Sequence, residues 1–265
     1  MIELQAVREG STPLLISVPH DGRHIPDFIE QRMTPAGRDI PDTDWHAAKL
    51  YDFAGELGAS ILVANYSRYV VDLNRPSDDA ALYDGQVATG ICPQQTFAGD
   101  DIYLGGTFVD VEEQAERVHS FWQPYHSYIE AKLFELRQEF GYALLWDAHS
   151  IPSLVPRLFD GELPVLNIGT NDTKSCSTTI ANDVFNVATS SDYETVMNDR
   201  FKGGFITRNY GDPENKVHAV QLEIAQRAYM DETSRDYDDT NAELLRDTLR
   251  LMIKTVIASA SRLHS

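Results

Sequence analysis

Two histidines, a glutamate and an Asn-Arg pair stand where apolar runs end in this 265-residue chain. Leu-Leu-Ile-Ser-Val-Pro leads into His20, and Val-Val-Asp-Leu leads into Asn74 and Arg75. Ala-Leu-Leu-Trp-Asp-Ala leads into His149, and Ala-Val-Gln-Leu leads into Glu223. Imidazoles and carboxylates ligate catalytic metals, and a further carboxylate beside them can carry protons. A guanidinium fork grips carboxylates in pairs of hydrogen bonds. The inventory is that of a metal-assisted hydrolase for a small anionic substrate.

Zinc hydrolases commonly use three protein ligands and leave a fourth position for water. His20 and His149 provide two. Asp-Thr-Asp-Trp-His at 42–46 offers the third. Asp44 is the first choice and Asp42 its rival, with helix N-capping as the competing task for both. Asp147 lies two residues before His149, so on a strand it shares that face and can orient a ligand; capping is its other reading. Glu223 ends an apolar run, where a charge is expensive to bury without a task or a partner. It suits a general base and acid, or an ion pair with Arg227 four residues on if a helix begins there. Arg68, Asn74, Arg75, Lys202 and Arg208 form a basic set for substrate anions, with Gly203 and Gly204 permitting close backbone approach. Taken singly, a lone histidine is more often a structural or surface group and a lone arginine a surface charge; the strand-end geometry of the set is what favours an anion pocket.

These groups need a scaffold that brings run ends together. Short apolar runs alternating with helical stripes predict an α/β layered fold with a largely parallel sheet. In such sheets the ligand crevice lies beyond the carboxyl ends of the strands. Expected strands cover 14–18, 61–64, 70–73, 142–146, 165–168, 205–209 and 219–222. A helical stripe follows Asp44 through Ala47, Leu50, Tyr51, Ala54 and Leu57 to a Gly58 stop, capped by Asp42, Thr43 or Asp44. Residues 111–140 predict a helix broken or kinked at Pro124, and 178–189 and 241–260 predict two more. Residues 76–107, rich in Asp, Gly and Pro, predict a long excursion of the binding-loop or lid kind. No repeat or linker divides the chain, so one domain spanning 1–265 is expected.

Composition narrows the partners. The formal charge of -19, from 41 acidic and 22 basic residues, disfavours nucleic acid and anionic membranes. Solubility or a salt-rich habitat explains the acidity. An anionic substrate then requires the cations to be concentrated at the site. No apolar stretch is long enough to span a bilayer, and the N-terminus lacks signal-peptide regions, so the expected location is cytoplasmic. Cys92 and Cys176 suit two buried thiols in a reducing compartment better than a disulfide. The oligomeric state is open.

Several blocks, in order, resemble the N-formylglutamate amidohydrolase family, the deformylases of histidine degradation. They are Ser-Val-Pro-His-Asp-Gly (17–22), Asp-Thr-Asp-Trp-His (42–46), Ser-Arg-Tyr-Val-Val-Asp-Leu-Asn-Arg-Pro (67–76), Thr-Gly-Ile-Cys-Pro (89–93), Trp-Asp-Ala-His-Ser (146–150), Phe-Lys-Gly-Gly-Phe-Ile-Thr-Arg (201–208) and Val-Gln-Leu-Glu (220–223). The resemblance implies a three-layer, mostly parallel or mixed sheet with helices on both faces, similar to zinc carboxypeptidases and aspartoacylases. It implies one zinc ion on His20 and His149, substrate carboxylate on Asn74 and Arg75, and acid/base work by Glu223. One departure matters. Those distant relatives carry the acidic ligand three residues after the first histidine, where this chain has Arg23, so Asp44 remains an inference from the residues. The alternatives are another N-acyl amino acid or a peptidoglycan amide as substrate, a metal-independent hydrolase using Cys176, and a non-catalytic binder of acidic ligands.

Overall fold

In the computed structural model, which describes residues 3, 5–80 and 89–265, one seven-stranded mixed sheet organises the molecule. Its strands are β1 (Gln5–Arg8), β2 (Leu14–Val18), β3 (Ser60–Ala64), β4 (Ala143–Ile151), β5 (Leu166–Gly169), β6 (Thr195–Met197) and β7 (Val217–Ala225), in the spatial order β1-β3-β2-β4-β7-β5-β6. The central strands β3, β2, β4 and β7 run parallel. Edge strand β1 is antiparallel to β3, and β5 is antiparallel to β7. The helices are α1 (Asp27–Glu30), α2 (Pro35–Arg38), α3 (Ala47–Leu50), α4 (Val111–Arg117), α5 (Gln123–Phe140), α6 (Thr178–Thr189), α7 (Phe205–Tyr210) and α8 (Asp239–His264).

Strand periodicity assigns the layers. On β4 and β7, Leu144, Trp146, Ala148, Val220, Leu222 and Ile224 face the side covered by α6 and α8. The opposite face presents Ala143, Leu145, Val217 and Ala219 to Tyr125, Ile129, Leu133 and Leu136 of α5. Those four recur at helical spacing, so α5 lays one apolar stripe on the sheet. Both faces are covered, which is why β2, β4 and β7 are buried along their whole length. No described helix is long and apolar enough to cross a membrane.

Three local expectations are corrected. Residues 70–73 form turns, not a strand. Carbonyls here find side chains instead of a ladder: Val70 O accepts from Nη1 of the buried Arg117 at 3.0 Å, and Leu73 O lies 2.9 Å from His126 Nε2. Residues 205–209 belong to helix α7, whose Ile206 amide donates to Asn74 Oδ1 at 2.8 Å. A cap arriving from 132 positions away leaves no local trace. The stripe after Asp44 is a short α3 followed by a 3-10 segment, Asp52–Leu57, and it does stop at Gly58, left-handed with φ 76°. Its amides are met by Asp21, whose carboxylate accepts from His46 N at 3.1 Å and Ala48 N at 3.2 Å.

The helix expected over 111–140 is not interrupted at Pro124: a π turn, Val118–Trp122, joins α4 to α5 directly before it, and this local change of hydrogen bonding accommodates the missing N–H. The last helix is longer than expected at both ends, opening on Asp238, whose carboxylate accepts from the amides of Thr240 and Asn241. Strands β1 and β6 were outside the sequence expectation. Of the excursion at 76–107, residues 81–88 lie outside the described residues.

Candidate active site

The face of the sheet under α5 changes character along the strands. It is apolar at Ala143, Leu145, Val217 and Ala219, then polar at Asp147, His149, Gln221 and Glu223 toward the carboxyl ends. The parallel register pairs Asp147 with Gln221 and His149 with Glu223. His20 follows β2 by two residues and reaches the same place. His20, His149, Gln221 and Glu223 line a cavity of about 320 Å³, with Asp147 behind His149. Asp79, Gly90 and Phe97 from the excursion form part of its wall.

At the floor, His20, Asp44 and His149 converge, all buried, with one ligand atom of each within 4.8 Å of the others. Asp44 Oδ2 lies 3.1 Å from His149 Nδ1 and 3.8 Å from His20 Nδ1. The far nitrogens are tied to other carboxylates: His20 Nε2 to Asp72 Oδ1 at 2.8 Å, and His149 Nε2 to Asp147 Oδ2 at 3.1 Å. A ring that donates from Nε2 leaves Nδ1 as the ligand atom, the arrangement that fixes histidine ligands in metal sites; at His20 the Arg68 guanidinium now lies on Nδ1, and a metal there would displace that contact. Two imidazoles and one carboxylate, buried and backed in this way, fit a divalent transition metal. Asp42 is turned elsewhere: its Oδ2 accepts from Tyr69 OH at 2.6 Å and from Phe97 N at 2.8 Å.

The charges respond to this enclosure. Burial opposes charge on His149, but Asp147 and Asp44 outweigh it and hold the imidazole well above its usual range. Burial, aided by the Arg68 guanidinium, lowers His20. Burial also acts on Asp44, against its hydrogen bond to His149 and the nearby cationic groups, and the net shift is downward. Burial pushes the Glu223 carboxyl up to about 8, against the pull of His149.

Arg68, Asn74 and Arg75 also line the cavity. Arg68 contacts His20 and lies 3.6 Å from Asp72 Oδ2. Asn74 is clamped, its Oδ1 on the Ile206 amide and its Nδ2 3.0 Å from His149 Nε2. Glycine at 204 permits this, since a Cβ there would meet Asn74 Nδ2 at 2.2 Å. The close approach is thus to Asn74. Lys202 and Arg208 are not brought into the cavity lining. Lys202 Nζ pairs with exposed Asp172 at 3.2 Å, and Arg208 Nε donates to Gly203 O at 2.7 Å.

The family profile described as N-formylglutamate amidohydrolase matches residues 12–230. The chain belongs to that family. It is 48% identical over 260 residues to an N-formylglutamate deformylase of Pseudomonas aeruginosa, covering 97% of each chain. Identity to an N-formylglutamate deformylase of Pseudomonas putida is 45% over 260 residues, again with 97% of each covered. A crystal structure of N-formylglutamate amidohydrolase from Ralstonia eutropha JMP134 superposes with a TM-score of 0.83 at 22% identity, covering 97% of this chain and 99% of that one, and shares its fold.

As a member of the N-formylglutamate amidohydrolase family the chain is an amidohydrolase, and two competing readings of its residues lose their footing. Cys176 is a fully buried free thiol that burial pushes up to about 12, and it does not line the cavity. Arg227 pairs with Glu162 at 3.1 Å, and Glu223 sits within β7, not at a helix start.

Asp72 escaped the sequence reading, although a charge inside Val-Val-Asp-Leu carries the same signal as Glu223. Its carboxyl is held well below the usual range, because His20 and Arg68 override the penalty of burial. Asp72→Asn is expected to weaken metal binding by about 10–100-fold, the usual effect of losing a carboxylate behind a histidine ligand. Competition against a chromogenic chelator measures this. Unchanged affinity would assign Asp72 to packing alone.

Proposed function

We propose that this chain hydrolyses N-formyl-L-glutamate to formate and L-glutamate, using a zinc ion held by His20, Asp44 and His149. The observation that carries the reading is a buried His-Asp-His triad beside Glu223, inside a cavity that also presents arginines. When bound, such a cation supplies Lewis acidity, polarising the formyl oxygen and making water a nucleophile near neutral pH. Glu223 takes a proton from the attacking water and gives it to the leaving nitrogen as the C–N bond breaks. Burial raises this carboxyl and favours its proton-carrying form, while a cation in the triad would favour the ionised form that accepts the water proton. Arg75, beside Asn74, holds the α-carboxylate, and Arg68 adds positive charge at the floor. Asp147 orients His149 through Nε2. Lys202 and Arg208, first expected to touch substrate, act at most from outside the lining.

The same reading takes residues 1–265 as one domain, places it in the cytoplasm and in histidine degradation, and leaves nucleic acid and membranes out as partners. Formate release from N-formylglutamate, compared with acetate release from N-acetylglutamate and N-acetylaspartate, tests the substrate on metal-replete protein. Preference for either acetylated compound would replace the formyl assignment. Protein purified without chelator is expected to hold one equivalent of zinc by elemental analysis. Stripping it should abolish turnover, with recovery on adding zinc back. Full activity in the stripped protein would end the metal reading.

A further inference from the structure

Arg200, from the segment joining β6 to α7, lines the cavity although no motif singled it out. Among the described residues it brings the arginines there to three, with Arg68 and Arg75. Arg68 is engaged with Asp72 and His20. Among the described residues, neither Arg75 nor Arg200 has a carboxylate within ion-pair distance, and the Nε of each is buried without a partner. Arg200 also borders an outer cleft carrying Asp160, Asp199 and Glu162. Glu162 pairs with Arg227, and among the described residues Asp160 and Asp199 have no ion pair. Both arginine side chains are half-buried, with Nε out of reach of water and of any protein acceptor, so an anion entering the cavity would complete them.

The surroundings of Arg200 are specific. Its guanidinium carbon lies 5.8 Å from the centre of the Phe201 ring. Phe201 packs edge-on to Phe159 at 6.1 Å and belongs to a small apolar cluster with Ile151, Val155 and Leu158. Ile151, Leu158 and Phe201 themselves face the cavity. A methylene chain lies favourably on such a wall, and a carboxylate at its end would meet the guanidinium. An uncharged side chain of the same length would leave that guanidinium unpaired, so the wall discriminates by charge as well as by length.

We propose that Arg200 is the specificity-determining residue of this cavity and binds the side-chain carboxylate of the amino-acid half of the substrate. The inference rests on the reading of the cavity as an N-acyl-glutamate site and assigns its second anion. Arg75 and Arg200 then divide the two carboxylates of one dicarboxylic amino acid.

Calorimetric titration of zinc-loaded protein with L-glutamate and with L-glutamine reads this without turnover. The wild type should prefer glutamate by about 100-fold, the scale of a desolvated carboxylate losing its guanidinium. Arg200→Met should reduce that preference to a few-fold, and Arg200→Lys should restore it in part, since an ammonium is no planar fork. Arg75→Met, in contrast, should weaken both ligands alike. An Arg200→Met protein that keeps the wild-type preference, or loses both ligands equally, overturns the assignment. So does a wild type that binds the two ligands equally. Thermal melting of each variant separates lost binding from lost folding. The deformylase reading stands or falls separately, on formate release by the wild type.

Discussion

Glu223→Gln is expected to keep its zinc and to lose turnover by about 10²–10⁴, the usual contribution of a positioned general acid/base. The two outcomes belong together. Glu223 is not one of the triad atoms, so metal content should stay at one equivalent. Its carboxyl occupies the rung of β7 opposite His149, within the cavity, where it can gain and lose a proton beside the triad. The glutamine is nearly the same size, so packing around a side chain that is 7% exposed should survive. Formate release and elemental analysis on the same preparation decide. Near wild-type turnover would leave Glu223 as a structural residue and move the proton work elsewhere.

Arg75→Ala should weaken transition-state binding by roughly 2–5 kcal/mol, because a desolvated carboxylate loses its partner. Arg75→Lys should recover little of it. If Arg75 holds the α-carboxylate, kcat/KM falls for N-formylglutamate and for a neutral N-formyl amino acid alike. If the loss is confined to the dicarboxylate, Arg75 and Arg200 exchange roles. Unchanged kinetics on both substrates would remove Arg75 from the site. Asn74 is a poorer choice for mutation, since its amide also supports the Ile206 N–H and crowds against Gly204.

What could be read from the chain was what local pattern encodes. Buried runs of β2, β4 and β7 announce themselves, and so do His20, His149 and Glu223 at their polar ends. The choice between Asp42 and Asp44 was not local. It depends on Asp21 taking the capping duty of α3, and on Tyr69 and Phe97 claiming Asp42. The run at 70–73 looked like a strand because burial was legible while the agent of burial, Arg117, stands more than forty residues away. Arg200 carried no signal at all. It is one arginine between an aspartate and a phenylalanine, and only the path of the chain brings it to the cavity.

The pairing of His149 with Glu223 across β4 and β7 has a consequence for quality control in folding. Sliding one strand past the other by a single residue would carry Glu223 to the helix α8 side of the sheet, away from the triad. A molecule mispaired in this way would bury Gln221 and Glu223 in the apolar layer under α8 and would be both destabilised and inert. Specific activity is therefore a census of correctly registered molecules, and it distinguishes a native population from a merely collapsed one.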